Sequence, residues 1–136
     1  MKLKPIIIEN SIIPQLLSQL GPLANIEAIT IGPLIICRGE LSQITKQHES
    51  IHVEQYNDLL VIGFFLVYYF DYLHGIIKYR NDISGTNPSG KPYLSAADKA
   101  YYRIRAEQEA YEFEGHRYYL LPGIRKRWKW LKKYKV

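Results

Sequence analysis

The chain has 136 residues, 47% of them apolar, and a formal net charge of +5. That length lets one domain bury a core without covalent staples, and the single cysteine, Cys37, excludes an internal disulfide and a cysteine-based zinc cluster. The charge is lopsided: residues 125–136 hold seven basic groups and no acidic one, which leaves eleven basic against thirteen acidic residues elsewhere, a net −2. The sequence therefore divides into one domain over residues 1–124 and a basic aromatic tail over residues 125–136.

The segment Met1 to Pro5 is charged, but the apolar run Ile6-Ile7-Ile8 stops at Glu9 and is too short for a secretory leader. A cytoplasmic or membrane-associated location is expected. Ile6 to Ile8 reads as a short strand or extended arm. Ile13, Leu16, Leu17 and Leu20 recur at helical spacing, with Pro14 tolerated in a first turn, so a helix should end near Gly21-Pro22. Residues 26–37 are rich in β-branched side chains and punctuated by Gly32-Pro33, which predicts two strands of a small sheet. After Gly39 a second helix should begin near Gln43, capped by Ser42 or Thr45, and run well past His52.

Residues 59–77 are the most apolar stretch. Its uninterrupted part, 59–70, suits a buried core helix rather than a membrane span of about 20 residues; membrane contact through 59–77 is the alternative. Asp71 and His74, at i and i+3, are placed to meet each other. Residues 81–95 form a loop long enough to serve as a flap over a cleft. Ser95, with Asp98 three residues on, caps a helix running from Ala96 to about Phe113 and ended by Gly115. From Ile124 a short basic helix carries Trp128, Trp130 and Leu131. The fold class is α+β: a mostly helical domain with a small N-terminal sheet beside the second helix.

That second helix holds His48-Glu49-Ser50-Ile51-His52, an H-E-x-x-H string. Positions i and i+4 share a helix face one turn apart, so His48 and His52 can grip one Zn2+. Glu49 points to the side, where its carboxylate can act as general base on a metal-bound water. Gln55, three residues after His52, reads equally as a hydrogen-bond partner of a ligand and as a solvated polar residue.

Two histidines leave a catalytic zinc site one protein ligand short. Asp58 sits where a pattern with Gly at position 55 would place a third ligand, but Gln55 continues the helix, and Asp58 then points away from His52. On the later helix, Glu107 shares an apolar face with Ile104, Ala110 and Tyr111, and a carboxylate there is expensive unless paired or metal-bound. Glu107 is the first candidate and Glu109 the second; Glu112 and Glu114 read as solvated. Arg103, Tyr111 and His116 are candidates for a donor to a developing oxyanion.

H-E-x-x-H on one helix and Glu-x-x-Ala on a later one resemble the gluzincin metallopeptidases, nearest to those with a Glu-x-x-Ala-Asp helix and to compact minimal gluzincins. The likeness spans about residues 34–114, and only the two motifs are specific. It implies His48, His52 and Glu107 as zinc ligands, Glu49 as general base, and a peptide or protein substrate. Tyr111 stands where that pattern has Asp. Other readings are an inactive zincin-like structural or assembly protein, or a protein that binds nucleic acid or an anionic surface through residues 125–136, where Trp128, Trp130 and Tyr134 interleave with cations.

Overall fold

The computed structural model describes residues 2–20 and 27–136. Three short strands form one sheet: β1 (Ile6–Ile8), β2 (Ala28–Ile31) and β3 (Leu34–Cys37), in the order β1-β3-β2. β1 runs parallel to β3 with Ile7 opposite Ile35; β2 runs antiparallel to β3 with Thr30 opposite Ile35. The β2–β3 hairpin closes through Gly32 at φ +59°, a conformation that glycine adopts without steric cost. Helix α1 (Ile13–Leu20) follows β1, while Gly21, Pro22 and Ile26 lie outside the described residues.

Helix α2 (Gln43–Tyr79) begins as its sequence directs, with the Ser42 side chain accepting the Thr45 backbone N–H at 3.1 Å. It is not one straight rod. Leu60 sits at φ 59°, ψ 168°, and divides it into limbs 43–59 and 61–79. A straight helix would hold residues 52 and 68 about 24 Å apart. Instead His52 and Tyr68 both reach the Glu107 carboxylate, at 3.4 and 2.7 Å, and Tyr56 and Phe64 bring their rings to 4.0 Å across the bend. The corner at Leu60 thus folds the second limb over the first. Tyr56, Phe64, Ile104, Ala106 and Trp130 make the core around it.

The second limb differs from the buried core helix expected of residues 59–77. Phe64, Asp71, Gly75 and Tyr79 face the body, but Ile62, Leu66, Phe70 and Ile77 remain 65–76% exposed. The body covers one side of this helix only. By length and composition, α2 is apolar enough to cross a membrane.

The expected single helix over 96–113 is two: α3 (Ala96–Arg103), capped by Ser95, and α4 (Arg105–Phe113), which meet at Ile104 with ψ 128°. Tertiary hydrogen bonds explain the break. Asp71, fully buried, accepts the Arg105 backbone N–H at 3.2 Å and two guanidinium bonds at 2.8 and 2.9 Å, so it serves the start of α4 from another helix. The expected Asp71–His74 pair is therefore replaced by Asp71–Arg105, while His74 is exposed beside Phe70. α2 and α3 approach closely at Gly75, where an added Cβ would lie 2.8 Å from the Ala100 Cβ and 3.0 Å from its Cα. Gly75→Ala should therefore destabilise the fold by about 1–3 kcal/mol in urea titration, because overpacking outweighs alanine's helix propensity of about 1 kcal/mol. A stabilised variant would show that the two helices separate freely.

The last element is α5 (Lys129–Lys133). The tail is folded onto the body: Trp130 is buried and donates its indole N–H to Asp58 at 3.0 Å. Residues 81–95 carry a bridge between Thr86 and Pro92 and are tied at their base by Lys99, whose ammonium donates to the carbonyls of Asp82 and Ser84.

Candidate metal centre

The first limb of α2 supplies His48 and His52 one turn apart, and α4 lays Glu107 against them. Ala106 and Ala110, both buried and small, let α4 come this close. Ligand atoms of His48, His52 and Glu107 all lie within 4.8 Å of one another, and all three residues are buried. Glu107 Oε2 is 3.3 Å from His48 Nε2, and Glu107 Oε1 is 3.4 Å from His52 Nε2. One carboxylate thus spans both imidazoles. Glu109, the second candidate, turns the other way, to Gln55, Tyr119 and Arg125.

Each ring is held by its far nitrogen. His48 Nδ1 meets Glu114 Oε2 at 2.8 Å, and His52 Nδ1 meets Gln55 Oε1 at 2.8 Å. The Gln55 amide is itself oriented, because its NH2 donates to the Ala106 carbonyl and to Glu109. Its oxygen must therefore accept from His52 Nδ1–H, so that in the neutral ring Nε2 carries the lone pair and faces the centre. Gln55 is fully buried, so of its two sequence readings the structure gives the hydrogen-bonding one.

The network continues outward. Arg125 donates to Glu109 at 2.8 Å and to Asp58 at 2.7 Å, and Asp58 also receives Arg127 and Trp130. Asp58 is thus occupied away from the histidines, as its helical position required. A second partner of the site is Tyr68, from the second limb, whose hydroxyl donates to Glu107 Oε1 at 2.7 Å.

The electrostatics favour positive charge at this point. Burial lowers the His48 pKa, but its hydrogen bonds to Glu107 and Glu114 outweigh it and push the value up to about 10. Burial likewise opposes charge on Glu107, yet His52 and His48 hold its carboxyl well below the usual carboxylate range. A set of two imidazoles and one carboxylate, with every ring nitrogen not facing the centre already bound, fits a tetrahedral zinc with one position left for water.

Glu49 lies on the neighbouring side of the helix, buried, and accepts the Thr30 hydroxyl at 2.5 Å. Its charge raises the pKa of both His48 and His52, although less than Glu107 does. The edge strand β2 therefore orients the candidate base, and Tyr56 fixes that strand by donating to the Thr30 carbonyl at 3.0 Å.

Of the oxyanion candidates, Tyr111 is nearest: its ring packs edge-on against His48 at 4.6 Å between centroids. Arg103 donates to the Lys135 carbonyl, and His116 is exposed, its carbonyl accepting from Gln47. Sequence reasoning missed Glu114 and Tyr68. Glu114 lies seven residues after Glu107, two helical turns along the same face, a spacing that could have marked it. Tyr68 had no such signal, since its approach depends on the corner at Leu60.

Substituting the amide that holds His52 tests this arrangement. Gln55→Ala should weaken zinc binding about 10–100-fold, read by competition with a chromogenic chelator. Unchanged affinity would show that the amide has no hold on the ligand.

Comparison with protein-family models, with curated proteins and with solved structures gives no match.

Proposed function

We propose that the chain is a zinc-dependent hydrolase, a small metallopeptidase in which His48, His52 and Glu107 hold the metal and Glu49 is the general base. The observation that carries this reading is the convergence of three buried ligand atoms from two separate helices within 4.8 Å, beside the carboxylate of an H-E-x-x-H string. Zinc bound there would supply a Lewis acid that polarises a carbonyl and lowers the pKa of a water to about 7. Glu49 takes the proton of the attacking water and hands it to the leaving nitrogen. Thr30 holds that carboxylate through its hydroxyl, and Tyr68 keeps the Glu107 carboxylate across both rings. The peptide class of substrate rests on the motif resemblance and on β2, an edge strand beside the site of the kind along which an extended backbone aligns.

The test is zinc content by mass spectrometry on protein purified without chelator, paired with cleavage of a quenched fluorescent peptide pool. Zinc with cleavage supports the reading. Zinc without cleavage leaves a metal-binding protein that is not a peptidase, and no zinc after adding it back removes the metal reading.

A further inference from the structure

The second limb of α2 turns a continuous apolar stripe outward. Ile62, Leu66, Tyr69, Phe70, Leu73 and Ile77 are each more than half exposed. At 100° per residue they fall within an arc of about 100°, along about 22 Å of helix. The limb's charged residues, Asp71 and Lys78, lie outside that arc. A soluble monomer seldom leaves so long an apolar surface uncovered.

The two ends of the stripe differ. At the start, Gly32 lies against Val61, and Ile31, Leu60 and Ile62 are all exposed. At the far end Lys78, Lys132 and Lys135 border the same shallow cleft as Phe70 and His74. Lys78 donates to the Val136 carbonyl at 2.6 Å and so draws the basic tail alongside the helix. Lys132 and Lys135 are exposed, and neither forms an ion pair among the described residues. An apolar stripe with aromatic rings and a cationic border matches the boundary between acyl chains and anionic headgroups. A second copy packed in parallel on this face would set these cations against the same cations.

We propose that this face of α2 docks on an anionic lipid bilayer, with the stripe at the acyl boundary and Lys132 and Lys135 on the headgroup phosphates. The proposal stands apart from the hydrolase reading, because none of these side chains belongs to the metal centre.

The full chain should sediment with vesicles of phosphatidylcholine and phosphatidylglycerol, bind phosphatidylcholine alone more weakly, and be extracted by alkaline carbonate. Leu66→Glu with Leu73→Glu should reduce binding about tenfold or more, since both side chains are exposed and the change replaces their apolar contact with charge that the bilayer repels. Lys132→Glu with Lys135→Glu should remove the preference for phosphatidylglycerol. Circular dichroism should show both variants folded, and the zinc content of each should match wild type. Three results would overturn the proposal: no sedimentation of wild type with either vesicle, binding indifferent to the two leucine changes, or resistance to carbonate, which marks a spanning helix. A dimer dissociated by the leucine changes, without vesicle binding, would assign the face to a second copy instead.

Discussion

Protein purified without chelator is expected to carry about one zinc per chain, and His48→Ala and Glu107→Ala are each expected to lose it. Structural zinc sites are worth about 10–16 kcal/mol over four ligands, or about 2.5–4 kcal/mol each, so removing one should weaken binding roughly 100- to 1,000-fold. Glu107 is the more telling of the two. Its carboxylate touches both imidazoles and the Tyr68 hydroxyl, so Glu107→Ala removes the negative partner that both rings share. Glu107→Gln keeps the shape and the reach to Tyr68 and removes the charge. If the glutamine variant folds like wild type yet binds no zinc, the loss is one of ligand chemistry rather than of packing. Zinc retained at full affinity in Glu107→Ala would remove Glu107 from the ligand set.

Glu49→Gln is expected to separate binding from chemistry. The amide oxygen can still accept the Thr30 hydroxyl that now reaches Glu49 at 2.5 Å, so the helix and the metal ligands should stay in place. What the amide cannot do is take a proton from water. Zinc content should equal that of wild type, while turnover of a cleaved peptide should fall about 100- to 10,000-fold, the usual contribution of a positioned general base. The measurement is kcat on one peptide from the cleaved pool, with zinc quantified in the same samples. A variant that cleaves as fast as wild type would dismiss Glu49 as the base.

Much of this centre is legible before folding, because its key spacings are local. His48 and His52 sit one turn apart in any helix, and the Ser42 and Ser95 caps need only three-residue separations. Glu107 ranks ahead of Glu109 by the apolar face it shares with Ala110, with Glu109 left as the second candidate. The parts that escape are those decided across the chain. The break at Ile104 follows from Asp71, which binds Arg105 from 34 residues away and which the local i, i+3 rule assigns to His74. Glu114 looks solvated until His48, 66 residues away, arrives beside it. Composition alone cannot say that the most apolar helix has a body on one side only. The α+β class with a small sheet and a long helix is unaffected by these differences.

The corner at Leu60 carries a local cost of its own. Its φ of 59° with ψ near 168° belongs to a region that side chains other than glycine rarely occupy, at a strain of about 1–3 kcal/mol. Glycine would make the same turn freely, yet the chain spends a leucine there and leaves it 75% exposed. In water that residue is a double loss, strained in backbone and bare in side chain. On the membrane reading it becomes a wedge, an apolar tip held out by a rigid corner at the head of the stripe. A shape unfavourable in solution would then be matched to a surface that the molecule meets only at its destination.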